Sequence, residues 1–471
     1  MQESNPRVQT GWAERPWWIL LILLPGLWAI FIRPLAPLDE TRAVGVAWEM
    51  WLSGDFLVPH MNGLPYSHKP PLLFWLLNLG WGVFGVNDLW TRLVGPLATL
   101  TATLLTVRLA RELWPDQRVI RPLAGWLLAG SLGWMLYGQM LMYDTLLTAS
   151  VMVALLGAWR AGSGTGRGGW FLVACGIGLG ILSKGPVVLV HVVPALLLGP
   201  VWSGNAHLRP LAWYGKVLAA TLGGLLIAGL WAIPAATLGG EEYSRAILLQ
   251  QTSGRLVQSF AHERPWWVYL VFVPLLALPW FLMPSSWRTL FSRPIAGGRR
   301  FVLCWGLGSL FVLSLVSGKQ PHYAIPEVPA VALLIAWALS ARYSARQIAA
   351  RAIASVLVMF TFATVVFAWL DLADEYDMAP PGAVASALQT AGVPLATTPG
   401  YKNQLAFAGR LERPLELVER ADLGEWLRRN PNGVVVTFAE TLPESLGLTV
   451  YEEFPYRRRA VQFLRLDSPT P

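Results

Sequence analysis

The sequence contains few charged residues. Asp, Glu, Lys and Arg make up 14% of the 471 residues, whereas a soluble domain carries about 25%. With 54% hydrophobic residues, the chain lacks the polar surface that water-soluble proteins present. The composition therefore argues against a soluble domain and indicates a protein embedded in a membrane.

Cysteine is also rare, with only Cys175 and Cys304. Both lie in apolar runs, and they have neither a CxxC arrangement nor the spacing of zinc ligands. Long internal repeats and low-complexity segments are absent from the sequence as well. We expect the two cysteines to be packing residues.

The net charge of +8 would favour nucleic-acid binding in a soluble protein. Here the basic residues lie in short segments between apolar runs, which is the topology signal of membrane proteins. We therefore expect membrane lipids, and no nucleic acid, as partners. The first apolar run lacks a small-residue cleavage site after it, which predicts a first span rather than a cleaved signal peptide.

Twelve apolar runs are candidates for bilayer spans, each of which needs about 20 mostly apolar residues. Several runs are short. Residues 70–107 contain two runs but are expected to cross the bilayer once, for example as one span and one re-entrant or interfacial helix. We predict an all-α polytopic protein with 11–13 spans. The runs are 16–33, 70–87, 92–107, 122–143, 145–159, 169–183, 185–203, 217–236, 266–285, 301–318, 323–341 and 352–370.

The distribution of Arg and Lys predicts the orientation, because positively charged loops stay on the cytoplasmic side. The basic segments are 108–121, 160–167, 209–216, 288–300 and 342–351. This places the N-terminus in the cytoplasm and the C-terminus outside. The first outside loop is then 34–69, and a second large one is 237–265.

The composition changes after residue 371. Residues 372–471 are charged and contain Pro and Gly turns, with helical patterns at 383–391 and 421–429 and strand patterns at 433–438 and 448–454. We predict a membrane domain over residues 1–371 and a small α/β domain outside the membrane over 372–471.

The first outside loop begins with two acidic residues. Residues 40–52 read as an amphipathic helix, with Asp39 at its N-cap and Glu40 in its first turn. Such residues stabilise a helix start. The alternative is a catalytic carboxylate at the membrane surface, and the two roles are compatible.

The same loop ends with Tyr66, His68 and Lys69, just before an apolar run. Tyr and Lys anchor helices at membrane interfaces. Lys is also a compact cation suited to a phosphate. Both interpretations fit the sequence.

Asp144 and Lys184 interrupt apolar sequence. A charge within a span costs about 2.5–3.5 kcal/mol on insertion scales, so such residues are functional candidates. The alternative is that both lie at turns and extend to water. Gly185 and Pro186 would end the helix that carries Lys184.

Further polar residues follow near His262 and Lys319. On the predicted topology, all the polar candidates lie on one face, which suits a carboxylate that deprotonates a hydroxyl and cations that bind a departing phosphate. His68, His262 and His322 lack helical i, i+4 ligand spacing, so we expect no resident metal, although a divalent cation is left open. The candidates on this face are Asp39, Tyr66, Lys69, Asp144, Lys184, His262, Lys319 and Tyr323.

Several motifs resemble the bacterial branch of the protein O-mannosyltransferase superfamily, in particular the lipid A aminoarabinose transferases. The motifs are Leu38-Asp-Glu-Thr-Arg42, Ser53-Gly-Asp-Phe-Leu-Val-Pro59, Asn62-Gly-Leu-Pro-Tyr-Ser-His-Lys-Pro-Pro71, Ser183-Lys-Gly-Pro186 and Ser317-Gly-Lys-Gln-Pro-His-Tyr323. The resemblance covers roughly residues 17–345.

The resemblance implies the multi-span GT-C fold, a location in the bacterial inner membrane with the site facing the periplasm, and sugar transfer with inversion from an undecaprenyl phosphate donor. Asp39 matches the catalytic acidic residue and Lys69 the lysine near the donor phosphate. Lys184 and Arg264 are expected to assist Lys69. The expected cavity residues are Glu40, Arg42, Tyr66, His68, Asp144, His262, Lys319 and Tyr323.

The sequence departs from that branch in three ways. Ala43 stands where Tyr is typical, His68 stands where Glu is typical, and residues 372–471 are shorter than the usual outside domain. The acceptor is therefore left open among lipid A, another glycan and a protein hydroxyl. The alternative functions are a flippase or transporter of lipid-linked sugars, which predicts charges spread through the spans, and a structural membrane subunit.

Overall fold

The computed structural model describes residues 11–164, 166, 168–204, 209–248, 263–438, 442 and 446–466. The described part of the chain is mainly helical. Its α-helices are α1 Trp18–Ile32, α2 Glu40–Ser53, α3 Leu72–Phe84, α4 Asp88–Leu113, α5 Ile120–Ala129, α6 Leu132–Tyr137, α7 Tyr143–Ser163, α8 Gly169–Lys184, α9 Val188–Leu197, α10 Gly199–Trp202, α11 Pro210–Leu238, α12 Gly240–Arg245, α13 Tyr269–Leu276, α14 Pro284–Ser292, α15 Gly297–Leu315, α16 Val328–Leu339, α17 Ala345–Trp369, α18 Leu372–Tyr376, α19 Ala379–Thr390 and α20 Leu423–Arg429. Short 3₁₀-helices cover Trp12–Glu14, Trp266–Val268, Trp280–Leu282 and Pro321–Glu327.

Six helical stretches in the described residues are long and apolar enough to cross a bilayer. Six shorter apolar helices of 10–17 residues accompany them, and each of the twelve apolar runs of the sequence carries one of these helices. The polytopic all-α membrane class is thus confirmed, while the number of 11–13 spans stays a prediction. The six long stretches are Asp88–Leu113, Tyr143–Ser163, Pro210–Leu238, Gly297–Leu315, Pro321–Leu339 and Ala345–Trp369.

The chain forms two compact units. The first unit contains residues 1–27, 92–234 and 245–361. The second contains residues 28–91, 235–244 and 362–471. Residues 372–471 fall in the same unit as the first loop, and their boundary with the membrane domain at residue 371 stays a prediction.

The first unit is a helical bundle around one apolar core, to which Trp126, Leu155, Ile177 and Trp305 contribute. Within it, α7 and α8 pack against each other through small residues. A Cβ at Gly157 would lie 2.5 Å from the Gly169 carbonyl oxygen. Such close backbone approach is the usual way in which membrane helices pack.

The second unit contains a five-stranded sheet in the order β4-β3-β5-β7-β6, with β3 parallel to both of its neighbours. Residues Val434 and Val436 of β5 face one apolar cluster and Val435 faces another, so β5 is buried on both faces. The small C-terminal α/β domain is therefore confirmed. The strands are β3 Leu395–Thr397, β4 Glu416–Leu417, β5 Val434–Phe438, β6 Leu448–Tyr456 and β7 Arg459–Leu466.

The first loop belongs to the same unit. Helix α2 packs on α3, and strands β1 His60–Met61 and β2 Leu64–Pro65 form a hairpin between them. The indole of Trp48 in α2 donates a hydrogen bond to the Leu411 carbonyl at 2.9 Å. The loop is thereby fastened to the segment that leads into β4.

Candidate functional site

Asp39 precedes the first residue of α2. The predicted cap is wrong in detail: within the described first turn, the Asp39 side chain makes no capping hydrogen bond. Its backbone is already helical, at φ −90° and ψ −58°, and the N–H groups of Glu40 and Thr41 donate to the Ala36 carbonyl instead. The helix start therefore does not use the Asp39 carboxylate, which is 67% exposed and lies 3.3 Å from Nη2 of Arg42.

Glu40 has the opposite environment. Its side chain is 1% exposed and forms an ion pair with Arg33, with a second contact from Arg33 Nη2 at 2.9 Å. The Ala36 N–H donates to the same carboxylate at 2.6 Å. Glu40 thus stabilises the turn that presents Asp39, and its partner Arg33 was not among the predicted site residues.

Glu49, one α2 residue that sequence reasoning missed, connects three segments of the second unit. Its carboxylate accepts hydrogen bonds from the N–H groups of Asn62 at 2.6 Å and Gly63 at 2.9 Å, and from Asn403 Nδ2 at 2.5 Å. Burial raises the pKa of Glu49 although these donors act against the shift. Asn62 and Gly63 both have positive φ angles, 52° and 76°, as a two-residue type I′ hairpin turn requires.

The end of the first loop carries Tyr66, His68 and Lys69. Tyr66 is buried, its N–H donates to the Pro59 carbonyl at 2.7 Å, and its ring stacks on His68 at 5.4 Å between centroids. Lys69 is half-buried and His68 is exposed. The loop end is thus an ordered segment that presents a cation just before α3.

In the first unit, Asp144, Lys184 and Tyr323 meet in one cluster. Asp144 lies in the first turn of α7, and Lys184 is the last residue of α8, where Gly185 at φ 81° ends the helix as predicted. The Lys184 Nζ lies 2.5 Å from Asp144 Oδ1 and 4.4 Å from the ring centroid of Tyr323. The Asp144 side chain is 3% exposed and that of Lys184 is 10% exposed. The helix ends also favour these charges, since an N-terminus stabilises an anion and a C-terminus a cation.

Lys319 and Arg264 lie near each other in the same unit. The Lys319 ammonium group donates to the carbonyls of Arg264 at 3.2 Å, Ser317 at 3.5 Å and Val316. Lys319 therefore holds two segments together. Arg264 is exposed, with its guanidinium 5.2 Å from the Phe272 ring centroid. The predicted cavity residue His262 lies outside the described residues.

A second pair that sequence reasoning missed lies deeper in the first unit. His191 of α9 forms a hydrogen bond with Glu327 at 2.8 Å, and both side chains are at most 3% exposed. Glu327 ends the 3₁₀-helix that carries Tyr323. The pair thus connects α9 to the segment that positions the Tyr323 ring.

The structure therefore groups the predicted residues within each unit. The second unit holds Asp39 beside Arg42 and stacks Tyr66 on His68, whereas the first unit joins Asp144, Lys184 and Tyr323. Among the described residues, no group of three His, Cys, Asp or Glu side chains is arranged to hold a metal ion. Cys175 and Cys304 are both half-buried free thiols.

Comparison with known proteins yields three kinds of match: a family model, relatives in sequence and a solved structure. Residues 68–239 match the family model described as dolichyl-phosphate-mannose-protein mannosyltransferase. The undecaprenyl phosphate-α-4-amino-4-deoxy-L-arabinose arabinosyl transferase of Pseudomonas aeruginosa (strain UCBPP-PA14) is 34% identical over 344 residues, which cover 70% of this chain and 61% of that protein. The correspondingly named protein of Erwinia tasmaniensis is 29% identical over 315 residues, covering 65% and 55%. The chain thus spans about three fifths of the length of the curated relatives that it matches.

The solved structure of ArnT from Cupriavidus metallidurans, bound to undecaprenyl phosphate, superposes with a TM-score of 0.76 at 17% identity. The match covers 96% of this chain and 98% of that one. The fold is therefore the GT-C fold, and the chain is a multi-pass membrane protein. Its resemblance to the aminoarabinose transferases, expected from its motifs, is confirmed.

Proposed function

We propose that this protein is an inverting glycosyltransferase that moves a sugar from an undecaprenyl phosphate donor to an acceptor hydroxyl. The observation that carries the proposal is the environment of Asp39, whose carboxylate is exposed while the backbone at Ala36 satisfies the helix start. The names of the relatives support the donor class and favour a pentose as the sugar.

In the proposed reaction, the acceptor oxygen attacks the anomeric carbon of the donor. The bond between that carbon and the phosphate oxygen breaks, and the lipid phosphate leaves with the electron pair. Asp39 accepts the proton of the acceptor hydroxyl, and Arg42, whose Nη2 lies 3.3 Å from Asp39 Oδ1, orients the carboxylate. A single displacement of this kind inverts the anomeric configuration.

The departing phosphate needs positive charge, because a preorganised cation stabilises charge that develops in the transition state. We assign this role to Lys69, with Lys184 and Arg264 assisting. Asp144 and Tyr323 hold the Lys184 ammonium group in place. Tyr66, His68 and His262 are proposed to line the substrate cavity, whereas Glu40 and Lys319 hold the backbone around it.

The proposal places the protein in the bacterial inner membrane, with its N-terminus in the cytoplasm and the site and C-terminal sheet in the periplasm. The basic segments between the apolar helices support this orientation. The proposed acceptor is lipid A, with another glycan or a protein hydroxyl as the alternatives. The proposed reaction does not require a divalent cation. Adding a chelator to the transfer assay tests whether the protein depends on one.

The proposal is tested by incubating the full chain in proteoliposomes with radiolabelled sugars on synthetic undecaprenyl phosphate and with membrane extracts. Label in lipid A is the expected result. Label in protein or in another glycan would keep the transferase and change the acceptor. Movement of the donor across the bilayer without any transfer, by folded protein, would overturn the proposal in favour of a flippase.

A further inference from the structure

A groove of about 530 Å³ runs along α17 in the first unit, and none of its lining residues is assigned to the reaction. One wall is α17 itself, and the other includes Leu132, Trp280 and Met283. The exposed lining is almost entirely apolar. The groove lies within a protein whose apolar helices span a membrane, so lipid molecules are its natural surroundings.

Among the lining residues on α17, the charged side chain lies at one end of the groove wall. Arg351, Ser355 and Met359 follow at four-residue intervals, which places them on one face of the helix. The Ser355 hydroxyl donates to the Gly130 carbonyl at 2.9 Å, so it is used inside the protein. From Arg351 to Met359 the helix rises about 12 Å, which gives one cation followed by an apolar track.

The opposite wall presents an apolar surface to the groove. The Trp280 side chain is 2% exposed, and its indole N–H donates to the Leu127 carbonyl at 2.6 Å. The polar atom of this indole is therefore satisfied by the protein. The surface that Trp280 offers to the groove is hydrocarbon in character.

Arg351 is held at the end of this track. Its Nη1 donates to the Gln347 carbonyl at 3.0 Å, and its guanidinium lies 5.0 Å from the Tyr343 ring centroid. A guanidinium has five N–H donors in a planar fork that matches phosphate oxygens. Arg351 is exposed, so a phosphate has access to it.

We propose that this groove binds an anionic phospholipid, with its phosphate at Arg351 and one acyl chain along the apolar track. Charge complementarity at one end and hydrocarbon lining along the rest match both parts of such a lipid. The site is independent of the proposed sugar transfer, because it uses none of the same residues. Its occupant would be a component of the surrounding membrane.

The test is native mass spectrometry of the full chain titrated with phosphatidylglycerol or phosphatidylcholine of identical acyl chains. Phosphatidylglycerol is expected to bind more tightly, and Arg351→Ala to weaken it about fivefold, since one basic residue near a lipid surface contributes about that factor. The matched control is Arg346→Ala, which removes an exposed charge of the same helix that does not line the groove. Ala354→Trp places a large ring at an exposed lining position and is expected to reduce binding of both lipids.

Three results would overturn the proposal. The first is equal binding of the two lipids in the wild type. The second is an equal loss in Arg346→Ala and Arg351→Ala, which would indicate diffuse attraction to the basic segment. The third is displacement of bound phosphatidylglycerol by undecaprenyl phosphate at equal concentration, which would assign the groove to the polyprenyl lipid.

Discussion

Lys184 lies between a carboxylate and an aromatic ring at the end of α8. The sequence predicted that Lys184 and Asp144 matter, because an isolated charge in an apolar run needs compensation. It could not pair them, because the contact depends on how α7 packs on α8 and joins residues 40 positions apart. The partnership of Glu40 with Arg33 was hidden for a similar reason, since it depends on the conformation of the intervening turn.

Replacing Lys184 separates its structural role, the ion pair with Asp144, from its proposed role in binding the donor phosphate. Lys184→Met removes the cation that pairs with the buried Asp144 carboxylate, and breaking a buried pair in this way costs about 3–5 kcal/mol of stability. Asp144→Asn combined with Lys184→Met removes both charges and should regain most of that stability. If Lys184 also binds the donor phosphate, the double variant will melt like the wild type but show a raised KM for the lipid donor. A wild-type KM in the stable double variant would make the pair purely structural.

Glu49 predicts a pH dependence of stability. Burial raises its folded pKa above the ordinary value of 4.5, so the folded protein binds the proton more tightly than the unfolded chain. The contribution of Glu49 is then complete below pH 4.5 and is lost as the pH rises through the folded pKa. Melting temperatures of the wild type should fall across this window relative to those of Glu49→Gln.

The control variant for the loss of one carboxylate is Glu419→Gln, because Glu419 is exposed. That variant should follow the wild-type profile with pH. Parallel profiles for the wild type and Glu49→Gln would show that Glu49 does not titrate in this window.

At the scale of elements, α3 contains two glycines with opposite surroundings. A Cβ at Gly80 would lie 1.8 Å from atoms of the Trp90 ring, whereas a Cβ at Gly82 would meet nothing within 4 Å. The Trp90 indole is fixed by a hydrogen bond to the Leu76 carbonyl at 3.0 Å, so it cannot easily move aside.

Gly80→Ala should therefore lower the melting temperature, since overpacking costs about 1–3 kcal/mol. Gly82→Ala should be neutral or raise stability by up to about 1 kcal/mol, because Ala is the better helix former. Thermal melts of the two purified variants in the same detergent test this contrast. Equal melting temperatures would mean that α3 does not pack on Trp90 as described.

The elements themselves were largely predictable where the signal was local. Each apolar run contains a helix. The helical pattern at 383–391 overlaps α19, and the strand pattern at 433–438 overlaps β5. Strands β3 and β4 were missed, because three and two residues are too few to show a period. The side-chain cap predicted at Asp39 was wrong, because Leu38 adopts a φ of 75° and the Ala36 carbonyl accepts the N–H groups of the helix start instead.

At the scale of the whole molecule, the orientation predicted from Arg and Lys is open to a direct test. In a chain with Cys175 and Cys304 replaced by Ala, new cysteines at the exposed positions Arg342 and Ala387 report on a basic segment and on helix α19 of the C-terminal domain. A membrane-impermeant maleimide should label Ala387→Cys in cells with a permeabilised outer membrane. Arg342→Cys should react only after lysis, and the reverse pattern would invert the topology.

The motifs predicted the resemblance to the aminoarabinose transferases because they are short, polar and embedded in apolar sequence. The grouping of the first loop with residues 362–471 was beyond the sequence. It depends on contacts such as those of Asn62 with Leu415, which lie 353 positions apart.

The central claim is that Asp39 acts on the acceptor hydroxyl, and the transfer assay with matched variants tests it most directly. Asp39→Asn should lower turnover by at least about 100-fold, since a general base contributes about 10²–10⁴-fold, while the melting temperature stays that of the wild type. The control is Asp55→Asn in the same loop, where Oδ1 accepts hydrogen bonds from the N–H groups of Leu57 and Val58 and an amide oxygen can do the same. The account predicts an inactive Asp39→Asn beside an active Asp55→Asn, and an Asp39→Asn enzyme with wild-type turnover would contradict it.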